Sequence, residues 1–374
     1  MTVSRRARNV IAVASAALGL VVAEGALRVV ERGEAAANPG VTFLACDAEL
    51  GWSGVPHDAF DVDMPVGRHR ITRNSLGMND VEHGPKQPGR KRILFLGDSF
   101  VEALQIPLEK AHHRLAERLL AERNPEVEVV AAGIGGWSLA QELLFFERER
   151  VRLEPDIVVA YWFPGNDLSD VLPARRYQTC RGRNCFAPYF PLQAGALEET
   201  PWVSAPVAPL GIGGDRVGRK LQARVLSATY RVSALWRRLS PLVPPRYAGL
   251  GLNEPSLYAE APSPAEDVAW SLTEALFDRL RASASPARLV VILVPQRSSV
   301  ERRLAGVSTP RHPARGLVQR LEARGIPYLD LEPEFTEHLA AGGDAPYWPD
   351  SHWTETGNRL AAEAEARFLA PFLE

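Results

Sequence analysis

A serine, a histidine, an aspartate and a few small amide donors, far apart in a 374-residue chain, have the makings of an acyl-transfer centre. The serine is Ser99 in Gly97-Asp98-Ser99-Phe100. The base and acid are His352 and Asp350 in Pro349-Asp350-Ser351-His352-Trp353. Such a set works because the imidazole takes the hydroxyl proton, the carboxylate fixes the imidazole tautomer, and N–H groups meet the oxyanion. Three donors suit that last task. Ser99 stands at a strand-to-helix turn and offers its own backbone N–H. Gly136 has no Cβ to hold a substrate carbonyl away from its amide, with Gly133 and Gly135 as competing positions. Asn166, in Gly165-Asn166-Asp167, donates from an uncharged amide. Each residue also has a plainer reading. Asp98 and Ser99 are favoured helix caps, the glycines shape a turn, Asp167 braces a loop, and a lone histidine is usually structural.

The elements that must hold these residues alternate regularly. Apolar runs at 92–96, 127–132, 156–162, 288–294 and 326–331 leave no alternate position for water, the pattern of strands buried on both faces. Between and after them, 112–123, 139–153, 264–282, 314–323 and 354–368 carry helical periodicity. This β-α-β series predicts an α/β fold, a parallel sheet of about five strands covered on both faces. Ligands of open parallel sheets bind beyond the carboxyl ends of the strands. Strand one runs into Ser99, strand two into Gly136 and strand three into Asn166. Gly133-x-Gly135 fails as a dinucleotide fingerprint, because Ser138 stands where the third glycine belongs.

Composition bounds the rest. The chain is 46% hydrophobic and 24% charged, enough for a sizeable core, and 43 Lys+Arg against 45 Asp+Glu gives no reason to expect a nucleic-acid partner. Arg5, Arg6 and Arg8 precede an apolar run from Val10 to Ala23, which reads as a signal anchor or, alternatively, a cleaved signal peptide. Either places the remainder outside the cytoplasm. The expected organisation is 1–38 as anchor or signal plus linker, 39–91 as an irregular segment packed on the main domain, and 92–374 as the main domain. The main domain carries an irregular and helical insertion at 171–262. Cys180 and Cys185 flank a turn-like loop and suit a small disulfide ring, which leaves Cys46 unexplained. No zinc spacing surrounds them. Adjacent His112 and His113 point apart on a helix and read as solvent-facing. Trp137, Trp162 and Trp353 each sit beside a block, as a sugar-stacking rim or as ordinary core.

The order Gly97-Asp98-Ser99-Phe100, Gly136, Gly165-Asn166-Asp167, Asp350-Ser351-His352-Trp353 resembles the SGNH (GDSL-type) hydrolase superfamily, from about residue 92 to the C-terminus outside the insertion. Asn74-Ser75-Leu76-Gly77-Met78 and the Asp-Ser-His-Trp-Thr block look like a membrane-anchored, exported branch of it. The resemblance implies a three-layer flavodoxin-like fold and esterase chemistry without metal or cofactor. Its site would consist of Ser99, His352 and Asp350, with Ser99, Gly136 and Asn166 as the oxyanion hole. Two positions depart from the common pattern. One residue separates Asp350 from His352 where two are usual, and Ala131 occupies the place of a block-opening asparagine. The expected activity is hydrolysis of acyl esters, acetyl among them, on an extracytoplasmic carbohydrate or lipid. The expected partners are that substrate and, through the N-terminal segment, the membrane. An O-acyltransferase passing the acyl group to a sugar hydroxyl is the first alternative, and a catalytically silent carbohydrate-binding protein the second.

Overall fold

Five apolar runs pair into one parallel sheet: β1 (Lys91–Gly97), β2 (Val127–Gly133), β3 (Ile157–Trp162), β4 (Arg288–Leu293) and β5 (Tyr328–Asp330), in the order β2-β1-β3-β4-β5. The computed structural model describes residue 15 and residues 18–28, 41–64, 66–172, 177–181, 183–193, 196–198, 201–203, 263–307 and 312–373. Register is continuous through the centre, with Ile93 level with Val129 on one side and Ile157 on the other. The strand order is that of flavodoxin-like sheets, and the chain reverses direction of winding between β1 and β3.

Alternate residues of the strands point to opposite faces. Phe95, Val129, Val159 and Ile292 share one buried cluster with Leu120 of α2 (His112–Ala121), Phe335 of α8 (Glu332–Ala340) and Ala361 of α9 (Glu355–Leu369). Against the opposite face pack α3 (Leu139–Leu153) and α5 (Pro264–Ala284), which touch each other, β1 and β3 through the former, and β4 through the latter. The fold is therefore a three-layer α/β/α sandwich. Short helices α1 (Ser99–Glu102) and α4 (Asp167–Asp170) sit directly after β1 and β3, and α6 (Arg297–Leu304) and α7 (Pro313–Arg324) lie between β4 and β5. The pattern at 297–304 and 332–340 did not suggest helices. Both are short, and α6 is mostly polar with only Ser299 and Val300 buried.

By compactness the chain forms two units, Met1–Trp52 with Arg175–Ala187 and Trp202–Ala248, and Ser53–Ala174 with Pro188–Pro201 and Gly249–Glu374. In the larger unit, Ala59–Met64 and Gly67–Thr72 form a hairpin, and the chain that follows it is tied to β2, where Asp80 accepts the Ala131 amide, and to Asp156 just before β3 through Lys86. Most of the insertion expected at 171–262 lies outside the described residues. In the smaller unit, residues 18–28 are helical with Leu18, Leu20, Val21 and Val22 exposed. Among the described residues no helix is long and apolar enough to cross a membrane. Most of the 1–38 segment lies outside them.

Two expectations are corrected. The disulfide joins Cys46 to Cys185, and Cys180 is a free, buried thiol whose pKa burial pushes up to about 12. The hairpin Tyr177–Cys180/Arg183–Phe186 places Cys185 opposite Gln178 and Cys180 opposite Arg183, so the two nearest cysteines are not cross-strand partners. His112 and His113 are fully buried rather than solvent-facing. His112 Nδ1 lies 3.0 Å from Glu365 Oε1 of α9, and burial lowers the His113 pKa to about 3. Of the two readings of Trp137, Trp162 and Trp353, ordinary core is the one found, since all three are buried.

The cysteine assignment predicts a peptide map. Under non-reducing digestion, the Cys46 and Cys185 peptides run as one linked species, and Cys180 takes up iodoacetamide only after denaturation. A linked Cys180–Cys185 species would contradict the assignment.

Candidate active site

The carboxyl ends of β1, β2 and β3 all open at one rim, and each carries a loop. After β1, Asp98 caps α1 by accepting the Phe100 amide at 3.0 Å, so Ser99 is the first helical residue. The turn is tight. A Cβ on Gly133 of β2 would lie 2.8 Å from the Asp98 carbonyl oxygen and 2.6 Å from Val101 Cβ, so only glycine lets the two strand ends close up. After β2, the chain reaches Gly136, whose φ of +75° is one that side-chain-bearing residues rarely adopt. Ser138 then starts α3 in a reciprocal capping box with Gln141. After β3, Asp167 Oδ2 accepts the Phe163 amide at 2.6 Å and braces the loop that presents Asn166.

The fourth loop arrives from the far end of the chain. Trp353 is its anchor, buried against Phe100 at 5.0 Å and Phe335 at 5.6 Å between ring centroids. The His352 ring in turn lies 5.3 Å from that of Phe100, the residue after the serine. This packing brings His352 Nε2 to 2.9 Å from Ser99 Oγ, across 253 residues of sequence. Asp350 is also at hand: Oδ1 accepts the His352 backbone amide at 3.1 Å, and Oδ2 lies 3.1 Å from Nδ1. The single intervening residue, Ser351, has φ +74°. That left-handed turn folds the acid back on the imidazole, and so one residue suffices as a spacer. The carboxylate is largely solvent-exposed, at 61%, and Nδ1 is off the line of a hydrogen bond to it.

Of the three glycines weighed as donors, Gly135 has its amide committed within the protein, donating to Glu102 Oε2 at 2.7 Å. Asn166 Nδ2 donates to Asp170 Oδ2 at 3.1 Å. Glu102 and its partner Arg73 were not singled out from the sequence. The available signal was one acid inside the otherwise apolar stretch Phe100–Leu104.

Behind the rim lies a set of buried acids. Burial raises the Asp98 carboxyl, while the Phe100 amide, the charge of His352 and the Asn166 amide pull it back. Burial raises Glu142 and Asp167 much further, with the neighbouring Asp98 charge adding to both. Neither Glu142 oxygen has a hydrogen-bond partner among the described residues. Each of these carboxyls therefore holds its proton to a higher pH in the fold than in the unfolded chain. Among the described residues no group of three His, Cys, Asp or Glu is arranged to hold a metal ion.

The sequence model of the GDSL-like lipase/acylhydrolase family matches residues 95–360. Among solved structures, the chain is similar to a lipase/acylhydrolase from Enterococcus faecalis at 14% identity, covering 76% of this chain and 97% of that one, with a TM-score of 0.41. It is similar to an acetylxylan esterase from Geobacillus stearothermophilus, solved as a catalytic mutant, at 15% identity over 76% of this chain and 96% of that one, with a TM-score of 0.40. A search of the curated proteins finds no match.

The acid set fixes a pH dependence. A carboxyl raised on folding stabilises the fold fully below its unfolded value, roughly 4, and that contribution is lost as pH rises toward the folded value. Urea unfolding at a series of pH values therefore shows stability falling above about pH 5. In Glu142→Gln, which cannot ionise, the fall is shallower. An unchanged slope in that variant would show that Glu142 is not a contributor.

Proposed function

Because the chain belongs to the GDSL-like lipase/acylhydrolase family and is an ester hydrolase of that kind, we propose that it is a serine esterase working through an acyl-serine intermediate. Its substrates are acyl esters of a carbohydrate or lipid outside the cytoplasm. The observation that carries the mechanism is the 2.9 Å approach of Ser99 Oγ to His352 Nε2. His352 takes the Ser99 proton as Oγ attacks the ester carbon. The imidazolium that forms is favoured by the Asp350 carboxylate beside Nδ1. The oxyanion is met by the backbone amides of Ser99 and Gly136 and by the side-chain amide of Asn166, which exchanges its Asp170 partner for the new charge. His352 then passes its proton to the departing alkoxide, and water, activated by the same imidazole, releases the acyl group.

Two observations support the extracytoplasmic setting. A disulfide across 139 residues suits an oxidising compartment. The basic and then apolar start of the chain suits export. A small acyl group, such as acetyl, is the natural first substrate to try.

A fluorophosphonate probe labels the wild-type chain, and Ser99→Ala abolishes the labelling; undiminished labelling of the variant would refute the assignment. With an acyl-ester panel, Asn166→Ala lowers kcat by about 10²–10³ while the fold, read by circular dichroism, is retained.

A further inference from the structure

The family match begins at residue 95, yet one of the contacts at the rim originates upstream of it. Arg73, in the chain that follows the Ala59–Met64/Gly67–Thr72 hairpin, is 1% exposed, and Glu102, the last residue of α1, is 4% exposed. Arg73 Nη2 donates to Glu102 Oε1 at 2.6 Å, and Nη1 donates to the Gly77 carbonyl at 2.7 Å. Asn79 Nδ2 donates to the Glu102 carbonyl oxygen at 2.8 Å. The remaining Glu102 oxygen, Oε2, accepts the Gly135 amide at 2.7 Å. Gly135 is next to the nucleophile: a Cβ on it would lie 3.9 Å from Ser99 Cβ.

We propose that the buried Arg73–Glu102 pair is a positioning device for the oxyanion hole. It holds the peptide between Ile134 and Gly135 so that the following amide, that of Gly136, is set for the reacting carbonyl. The inference rests on the esterase reading above and adds that residues 73–79 are a working part of the site. A buried ion pair is a weak source of net stability, but a carboxylate oxygen aimed at one backbone N–H fixes a peptide plane. The arrangement has the correct economy of charge. Arg73 compensates a carboxylate that would otherwise be buried alone, and Glu102 spends one oxygen on the arginine and the other on the loop. Neither residue touches the reacting atoms. Their effect on the rate comes through geometry, where a displacement of about 1 Å costs on the order of 10² in turnover.

The test uses two double variants of the full chain that differ only in the acceptor offered to Gly135. R73M/E102M removes both charges and the acceptor; R73M/E102Q removes both charges and keeps an amide oxygen. With 4-nitrophenyl acetate as substrate, R73M/E102M is expected to lose about 10² in kcat with KM within about twofold, and R73M/E102Q to recover most of the loss. Equal kcat in the two folded variants would overturn the proposal. Should R73M/E102M fail to fold, the wild-type chain labelled with ¹⁵N-glycine decides. The Gly135 amide proton must then be shifted downfield and slow to exchange, and a freely exchanging Gly135 amide overturns the proposal. If the wild-type chain turns over no ester at all, the esterase reading fails, and the same glycine spectrum still tests the Glu102 contact.

Discussion

A sheet buried on both faces leaves polar chemistry few places to go. Each residue of β1, β3 and β4 that points out of the sheet meets a helix or another apolar side chain, so nearly every alternate is hydrophobic and fully covered. Groups that must reach solvent or substrate are driven to the strand ends. Because the strands are parallel, their carboxyl ends share one rim, and the loops that leave it converge without any long-range design. The loops that carry Ser99, Gly136 and Asn166 leave the sheet at that rim for this reason. His352 is brought in by Trp353, whose indole is locked among aromatic side chains.

Several of the polar groups that enter the interior are held in pairs, with Glu142 an exception. Asp80 is the clearest case. Burial would raise its carboxyl, but His83, His113 and Arg114 outweigh that and hold it at about 2. It also accepts the Ala131 amide at 2.8 Å, so the residue that replaces the common asparagine of the second block is supported through its backbone from an upstream loop. His112 with Glu365 ties α2 to α9 in the same manner. Such groups contribute little net stability as pairs, yet each is costly to break singly, because the survivor is left as a buried charge. They fix which segments lie against which.

The strands were legible because an apolar run of five to seven residues has few other fates, and all five are found within a few residues of their expected bounds. The site blocks were legible for the same reason, since strand ends announce where the loops must gather. What the sequence hid were pairings between distant residues. Nothing local shows that His112 has Glu365 to shelter with, 253 positions away, so a histidine pair at a helix start was read as wet. Glu102 was passed over because its partner Arg73 stands outside the matched motifs. Cys185 chose Cys46 over its neighbour because hairpin register decides which cysteines can face each other.

The free thiol of Cys180 has a consequence for that bridge. Burial pushes its pKa up to about 12, so the thiolate is scarce at neutral pH. Since it is the thiolate that attacks a disulfide sulfur, Cys180 is chemically silent toward the bond formed five positions along. The third cysteine is therefore a poor attacker of the Cys46–Cys185 bond while it stays buried in the hairpin.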